Sequence, residues 1–372
     1  MKSSYLIILA ASIFVAETGL RAQPGSARIT GDVVPGTTWQ RTSPESVGYS
    51  SAKLEALRAW LKTQDTAAMV IVIQGRIVFS YGDLSQATKI ASARKSVLAM
   101  LYGNYVASGK IDLTKTVKQL GLDDKQPFLP IEEGATLEQL LAARSGVYLP
   151  NGSFGQNDYM PHRGSEAPGT HYVYNNWDFD AAGLAFEKQA GRDIYDALRT
   201  DLAVPLGMED YDPGKQKKEY TPDSLHAEYV MRLSARDMAR LGLLMLDNGR
   251  WNGQQIIPAD WVRRTTTLVT PFRDINPTPL RNYADLGRWG YGLLWWVWDA
   301  PHNPGGVVNG PFQDAYTAAG AGGTYITVFP GWDTVVVHRV DIDANPKAMV
   351  TPSSYMAMLS MLANSYCGDH CK

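Results

Sequence analysis

Ser92-Ala93-Arg94-Lys95 sets a hydroxyl and an amine three residues apart at the head of a long apolar run. A serine hydroxyl is a poor nucleophile at neutral pH unless a neighbouring base takes its proton. Residues three apart share one helix face, so the Lys95 amine can stand beside the Ser92 hydroxyl. The run behind it, Val97 to Tyr102 and on through Tyr105, Val106 and Ala107, is apolar on nearly every side, the pattern of a buried helix. Burial disfavours the ammonium form of a lysine, which makes Lys95 a candidate base and Ser92 a candidate nucleophile. The spacing alone is weak, because Ser50-Ser51-Ala52-Lys53 repeats it. There, Leu54, Leu57, Trp60 and Leu61 follow at helical spacing, so Ser50 or Ser51 reads as an N-cap and Lys53 as a solvated side chain.

Three other segments offer partners for Ser92. Tyr174-Asn175-Asn176 lies just before a helical pattern at Phe179. A tyrosine can relay protons, and an asparagine amide can orient it or a substrate. The same spacing recurs in Tyr102-Gly103-Asn104, so this motif is not rare either. Ala318-Ala319-Gly320-Ala321-Gly322-Gly323 enters the β-rich run Tyr325–Phe329. Small residues at a strand edge admit close approach to the backbone. An N–H there and the N–H of Ser92 would form the two halves of an oxyanion hole, with a plain bulge or turn as the alternative. Leu140 to Gly146 reads as a helix end followed by a turn. His162, His171, His226, His302 and His338 lack metal-ligand spacing, and no phosphate-cradling loop or dinucleotide fingerprint appears. No metal and no cofactor are expected.

The elements that must position these residues follow from pattern. A helix is expected from about Ser50 to Lys62, then a hairpin of Ala68–Ile73 and Ile77–Tyr81 around Gln74-Gly75-Arg76. Residues 110–265 are mostly helical in pattern, with helices starting at Thr136, at Phe179 (ended by Gly191) and at Ser234 (ended near Gly249). Tyr291–Trp298 reads as one strand, Tyr325–Phe329 and Thr334–Val340 as a hairpin, and Ser353–Ala363 as a closing helix. Strands at both ends with helices between them imply an α+β fold: one antiparallel sheet built from both termini, flanked by helices, with a mainly helical insertion. The irregular stretches 147–173 and 209–230 are expected to be functional rims.

Among the 372 residues, 35 Lys and Arg face 37 Asp and Glu, a net charge of −2, which provides no basic field for nucleic acid. Lys2, the apolar run Tyr5–Ala16 and Leu20-Arg21-Ala22 read as a secretory signal over residues 1–22, cleaved before Gln23. That run is short for a span, and no later stretch reaches membrane length, so a periplasmic or secreted location without a stable membrane span is expected. Residues 23–39 read as a linker, 40–366 as the folded domain and 367–372 as a tail. Within the domain, a sheet part covers about 40–90 and 285–366 and a helical part about 91–284. In an exported chain Cys367 and Cys371 are expected to close a disulfide loop; a metal clip with His370 is the alternative.

Ser92-x-x-Lys95, Leu140-Leu141-x-x-x-Ser145-Gly146, Tyr174-x-Asn176 and then a glycine-rich strand entry occur in the order that resembles the serine β-lactamase and penicillin-binding-protein-like family, in its class C and esterase branch. The resemblance covers nearly all of residues 40–363. Tyr291-Gly292-Leu293-Leu294-Trp295-Trp296 and Ala318-x-Gly320-x-Gly322-Gly323 are similar to 6-aminohexanoate-oligomer hydrolases and carboxylesterases. The resemblance implies a β-lactamase-like fold and a small-molecule ester or amide substrate. It implies Ser92 as the acylated nucleophile, Lys95 as its base and Tyr174 as the proton relay to the leaving group. Ser92 and Ala321 would supply the oxyanion N–H groups, and Asn176, Gly320 and Tyr316 would meet substrate. Tyr148 and Trp177 are pocket candidates by position. Where β-lactamases carry Lys-Thr-Gly, whose cation binds the substrate carboxylate, this chain has Ala318-Ala319-Gly320. That departure favours an ester or amide over a β-lactam. A β-lactamase or D-alanyl-D-alanine carboxypeptidase is the enzymatic alternative, and a non-catalytic binder of cell-wall fragments or a partner protein is the other.

Overall fold

The computed structural model describes residues 33–151, 160–276, 289–299 and 312–371. The expected signal segment lies outside them. Ala68–Ile73 (β1) and Arg76–Gly82 (β2) form the expected hairpin; Trp289–Tyr291 (β3), Trp296–Trp298 (β4), Tyr316–Gly320 (β5), Thr324–Phe329 (β6) and Thr334–Arg339 (β7) complete one sheet. Its order is β2-β1-β7-β6-β5-β4-β3, and every neighbouring pair is antiparallel. The β1–β7 seam, with Val70 opposite Val337, joins the two ends of the chain as expected.

Both faces of this sheet are covered, which is why β1, β6 and β7 are buried at every position, and β1 reads as an unbroken apolar run. Successive side chains in a strand point to opposite faces. On one face Ile326 and Val335 meet Gly242 of the helix Ala235–Leu246, where an added Cβ would stand 2.4 Å from Val335 Cγ1. On the other face Tyr325 stacks on Tyr355 of the closing helix Pro352–Ser365 at 4.0 Å, and Thr327 hydrogen-bonds the Tyr355 hydroxyl. The helix Ala235–Leu246 was expected in the helical part; its glycine and apolar face make it a sheet-covering layer instead. The first helix, Ser51–Leu61, is capped by the Ser50 hydroxyl, as expected. Two helices carry the candidate site, Ala93–Ala107 (α1) and Asn176–Ala190 (α2).

Two strand expectations need correction. Tyr291–Trp298 is two strands rather than one, because the chain reverses through Gly292–Trp295 with Leu294 in the left-handed region at φ 61°. Gly292 has no room for a side chain, since a Cβ would lie 2.3 Å from the Thr265 carbonyl oxygen. Residues 316–320, expected as the approach to a strand, form a strand of their own paired with β6. Cys367 and Cys371 are joined by a disulfide, and the Cys367 and Gly368 N–H groups donate to the Gly48 carbonyl. Among the described residues no helix is long and apolar enough to cross a membrane.

His338 of β7 is fully buried under the β5–β6 turn. Its Nδ1 lies 2.6 Å from the Gly323 carbonyl oxygen, so Nδ1 carries the proton and Nε2 accepts from the Thr66 hydroxyl at 2.9 Å. Burial holds this neutral ring down to a pKa of about 4. The folded value lies below the unfolded one, so the unfolded chain binds the extra proton between these values and stability is lost as pH falls. Unfolding free energy should decline by roughly 1 kcal/mol per pH unit from about pH 6.5 to 4 on this account. Denaturant titrations across that range check it, with a flatter slope expected for His338→Gln.

Candidate active site

Ser92 stands on a tight turn into α1. Ala91 before it is left-handed at φ 48°, and the Ala93, Arg94 and Lys95 N–H groups each donate to the carbonyl three residues back. From Ile90 to Gly103 every residue is buried except Ser92, so the hydroxyl is the point at which this segment opens outward. The all-round apolar run behind it is buried against the rest of the fold, as its pattern predicts.

Lys95 is 1% exposed. Its Nζ lies 2.9 Å from Ser92 Oγ, 2.7 Å from the Tyr174 hydroxyl and 2.7 Å from Asn176 Oδ1. The rings of Tyr174 and Phe179 flank the amine, with centroids at 4.4 and 4.5 Å. Burial, and then the neighbouring Arg94 charge, hold Lys95 well below the usual lysine range. A neutral amine has two N–H donors and one lone pair. One N–H serves the Asn176 carbonyl oxygen, and the lone pair remains for a hydroxyl proton. Burial pushes Tyr174 up to about 12, opposed by its hydrogen bond with Ser92 and by Arg94, so the phenol is protonated at neutral pH. The arrangement can take a proton from Ser92 and deliver one through Tyr174.

Local hydrogen bonds fix Tyr174 and Asn176. Asn175 caps α2 by accepting from the Trp177 N–H, and its side chain donates to the Val147 carbonyl at 2.6 Å. The Ser145 hydroxyl bridges the Val147 N–H and the buried Asp178 carboxyl, tying the Ser145-Gly146 turn to the head of α2. The Tyr174 ring stacks on Trp296 at 5.7 Å and meets Tyr291 edge-on at 6.2 Å, so β3 and β4 back the relay. Ser96, one turn from Ser92, donates to the Leu294 carbonyl and pins α1 to the β3–β4 reversal.

Gly320 ends β5 against the Ser92 turn: an added Cβ would lie 2.4 Å from the Ile90 carbonyl and 3.2 Å from the Ala93 nitrogen. Ala321 follows at the exposed start of the β5–β6 turn. The side chains meeting Gly322 and Gly323 in that turn are Ile342, Val340 and Val350, all apolar. Tyr316 stands at the far end of β5, about 13 Å along the strand from Gly320, with its ring on Trp295. Trp177 is not brought to the site surface; it is fully buried, donates to Asp124 and packs on Phe128 and His226. Tyr148 is buried at 6% exposure, next in sequence to the Val147 carbonyl that anchors Asn175.

The beta-lactamase family profile matches residues 57–348. The chain belongs to the beta-lactamase family. Its fold and family are those of serine hydrolases in the beta-lactamase superfamily. A putative 6-aminohexanoate-dimer hydrolase from Bacillus anthracis is similar with a TM-score of 0.63 at 19% identity, over 90% of this chain and 89% of that one. A putative beta-lactamase from Bacteroides dorei gives 0.60 at 19% identity, over 85% and 99%. A penicillin-binding protein homologue from Caulobacter crescentus gives 0.56 at 16% identity, over 79% and 93%.

Sequence reasoning gave no role to Arg94, Asp180, Glu228 or Asp178, and used Ser145 only as part of a motif. Asp178 and Asp180 sit in a helix whose other residues near them are apolar, a signal of buried carboxyls that was available. Gly320→Ala should force β5 away from Ile90 and lower stability by about 1–3 kcal/mol. Chemical denaturation monitored by tryptophan fluorescence reads that loss.

Proposed function

We propose that this member of the beta-lactamase family is an exported hydrolase that cleaves a carboxylic ester or amide through an acyl-enzyme on Ser92. The observation that carries this reading is the buried Lys95 amine within 2.9 Å of Ser92 Oγ and 2.7 Å of the Tyr174 hydroxyl. Neutral Lys95 takes the Ser92 proton as Oγ attacks the substrate carbonyl carbon. The resulting oxyanion is received by the N–H groups of Ser92 and Ala321. The Tyr174 phenol gives its proton to the departing alkoxide or amine as the C–O or C–N bond breaks, and Lys95 returns a proton to Tyr174. Water then attacks the acyl carbon, losing its proton to the same pair, and the acid is released with Ser92 restored.

Asn176 holds Lys95 and borders the substrate, and Gly320 keeps β5 close enough for Ala321 to face the Ser92 turn. The absence of a cation at Ala318-Ala319-Gly320 supports an uncharged acyl group over a β-lactam carboxylate. Tyr316 is proposed as a more distant pocket residue. The Cys367–Cys371 disulfide supports an oxidising compartment, periplasmic or secreted. No cofactor is invoked, and no nucleic acid or membrane partner.

A fluorophosphonate probe should label the wild-type chain and not Ser92→Ala; labelling that survives the substitution would sink the proposal. Lys95→Ala and Tyr174→Phe should each reduce turnover of a p-nitrophenyl ester by ~10²–10⁴-fold. Measured side by side, ester turnover should exceed nitrocefin turnover; the reverse order would make the chain a β-lactamase.

A further inference from the structure

Helix α1 buries two basic side chains that are adjacent in sequence, Arg94 at 2% exposure and Lys95 at 1%. The fold treats them differently. Asn176 and Asp180 lie four apart on α2 and therefore share one face. Lys95 meets Asn176, and Arg94 meets Asp180 at 3.3 Å. Glu228, on the short strand Glu228–Val230, reaches Arg94 at 3.5 Å. Lys89 joins Glu228 to Glu219 nearer the surface. The Tyr229 ring supports the guanidinium at 5.0 Å and rests on Gly183 of α2, where a Cβ would stand 2.7 Å from it. Asp180 and Glu228 thus both pair with Arg94, and Glu228 is shared with Lys89. The three polar contacts of Lys95 are a hydroxyl, a phenol and an amide.

We propose that Arg94, clamped between Asp180 and Glu228, is a positioning residue that sets the protonation state of Lys95 and thereby the pH range in which Ser92 is nucleophilic. The inference rests on reading Lys95 as the base of Ser92. A guanidinium stays charged in a protein, so Arg94 is a permanent positive charge one residue from the amine. Burial is the first cause of the depressed Lys95 value and Arg94 the second, while Asp180 and Glu228 pull it back up. The groups against the amine are Ser92 at the head of α1, Tyr174 from the loop before α2, and Asn176 and Phe179 from α2; the charges acting on it are those of Arg94 from α1, Asp180 from α2 and Glu228 from the short strand. Tyr291 of β3 stands behind Tyr174. The two carboxylates oppose the guanidinium and the burial, so the clamp acts on Lys95 in both directions.

The signs follow from charge. A base acts when neutral, so reactivity rises with pH through its pKa. Glu228→Gln and Asp180→Asn each remove a charge that favours the ammonium, and should move the acid limb to lower pH by about one unit. Arg94→Gln should move it to higher pH, and Arg94→Lys, which keeps the charge, should restore it. A purely structural role would lower the rate without moving the limb.

The measurement is the second-order rate of Ser92 labelling by a fluorophosphonate against pH, on the full chain, with circular dichroism to verify folding. Opposite shifts in the carboxylate and Arg94→Gln variants support the proposal. Carboxylate variants whose limbs superimpose on that of the wild type overturn it. If an Arg94 variant does not fold, Glu228→Gln decides, because Glu228 is the most exposed of the three side chains in the Asp180–Arg94–Glu228 clamp. A wild-type chain that fails to label at Ser92 overturns the hydrolase reading and this inference with it. Normal labelling with unshifted variants overturns this inference alone.

Discussion

Burying Lys95 beside Arg94, with Ser92 three residues away, constrains everything packed around the head of α1. Two adjacent charges cannot leave water without compensation, and an isolated buried cation is costly unless it is paired or neutral. The fold uses both solutions. Arg94 receives Asp180 and Glu228, and Lys95 is set among neutral acceptors and aromatic rings. Each solution requires α2 to lie across α1 in one register, with Asn176 opposite Lys95 and Asp180 opposite Arg94. A one-residue slip of either helix would pair the wrong groups.

That register is secured from outside the cluster. The Ser145-Gly146 turn is tied to Asn175 and Asp178, so the head of α2 is anchored to a segment far from it in sequence. On the sheet side, the reversal between β3 and β4 carries the Leu294 carbonyl that receives Ser96, and it carries Trp296 beneath Tyr174. The sheet is stiff because both faces are covered. It reaches Tyr174 through ring stacking on Trp296 and the Ser92 turn through the close approach of Gly320.

Solved structures at 16–19% identity share this fold, and a fold by itself does not fix the chemistry of its site. The local difference here is at the β5–β6 turn. Where β-lactamases are expected to present a cation, this chain presents Ala318 and Ala319, and the turn packs on Ile342, Val340 and Val350.

Much of this was legible in the residues themselves. The approach of Lys95 to Ser92 is a property of helical spacing. The burial of α1 follows from its all-round apolarity, and the closure of one sheet from both ends follows from where the β-rich runs fall. These depend on short-range periodicity, which sequence carries directly. Less visible were the break of Tyr291–Trp298 into two strands, fixed by crowding of Gly292 against Thr265, and the placement of Trp177 in the core by its bond to Asp124. The meeting of Tyr174 with Lys95 spans 79 residues, and the division of two carboxylates to Arg94 and none to Lys95 depends on how α1, α2 and the Glu228 strand pack. The sequence by itself determined which groups were available and which neighbours each had along its own helix. Only the tertiary structure decided which charge was paired and which was left neutral, because that depends on distances between elements that no local periodicity sets.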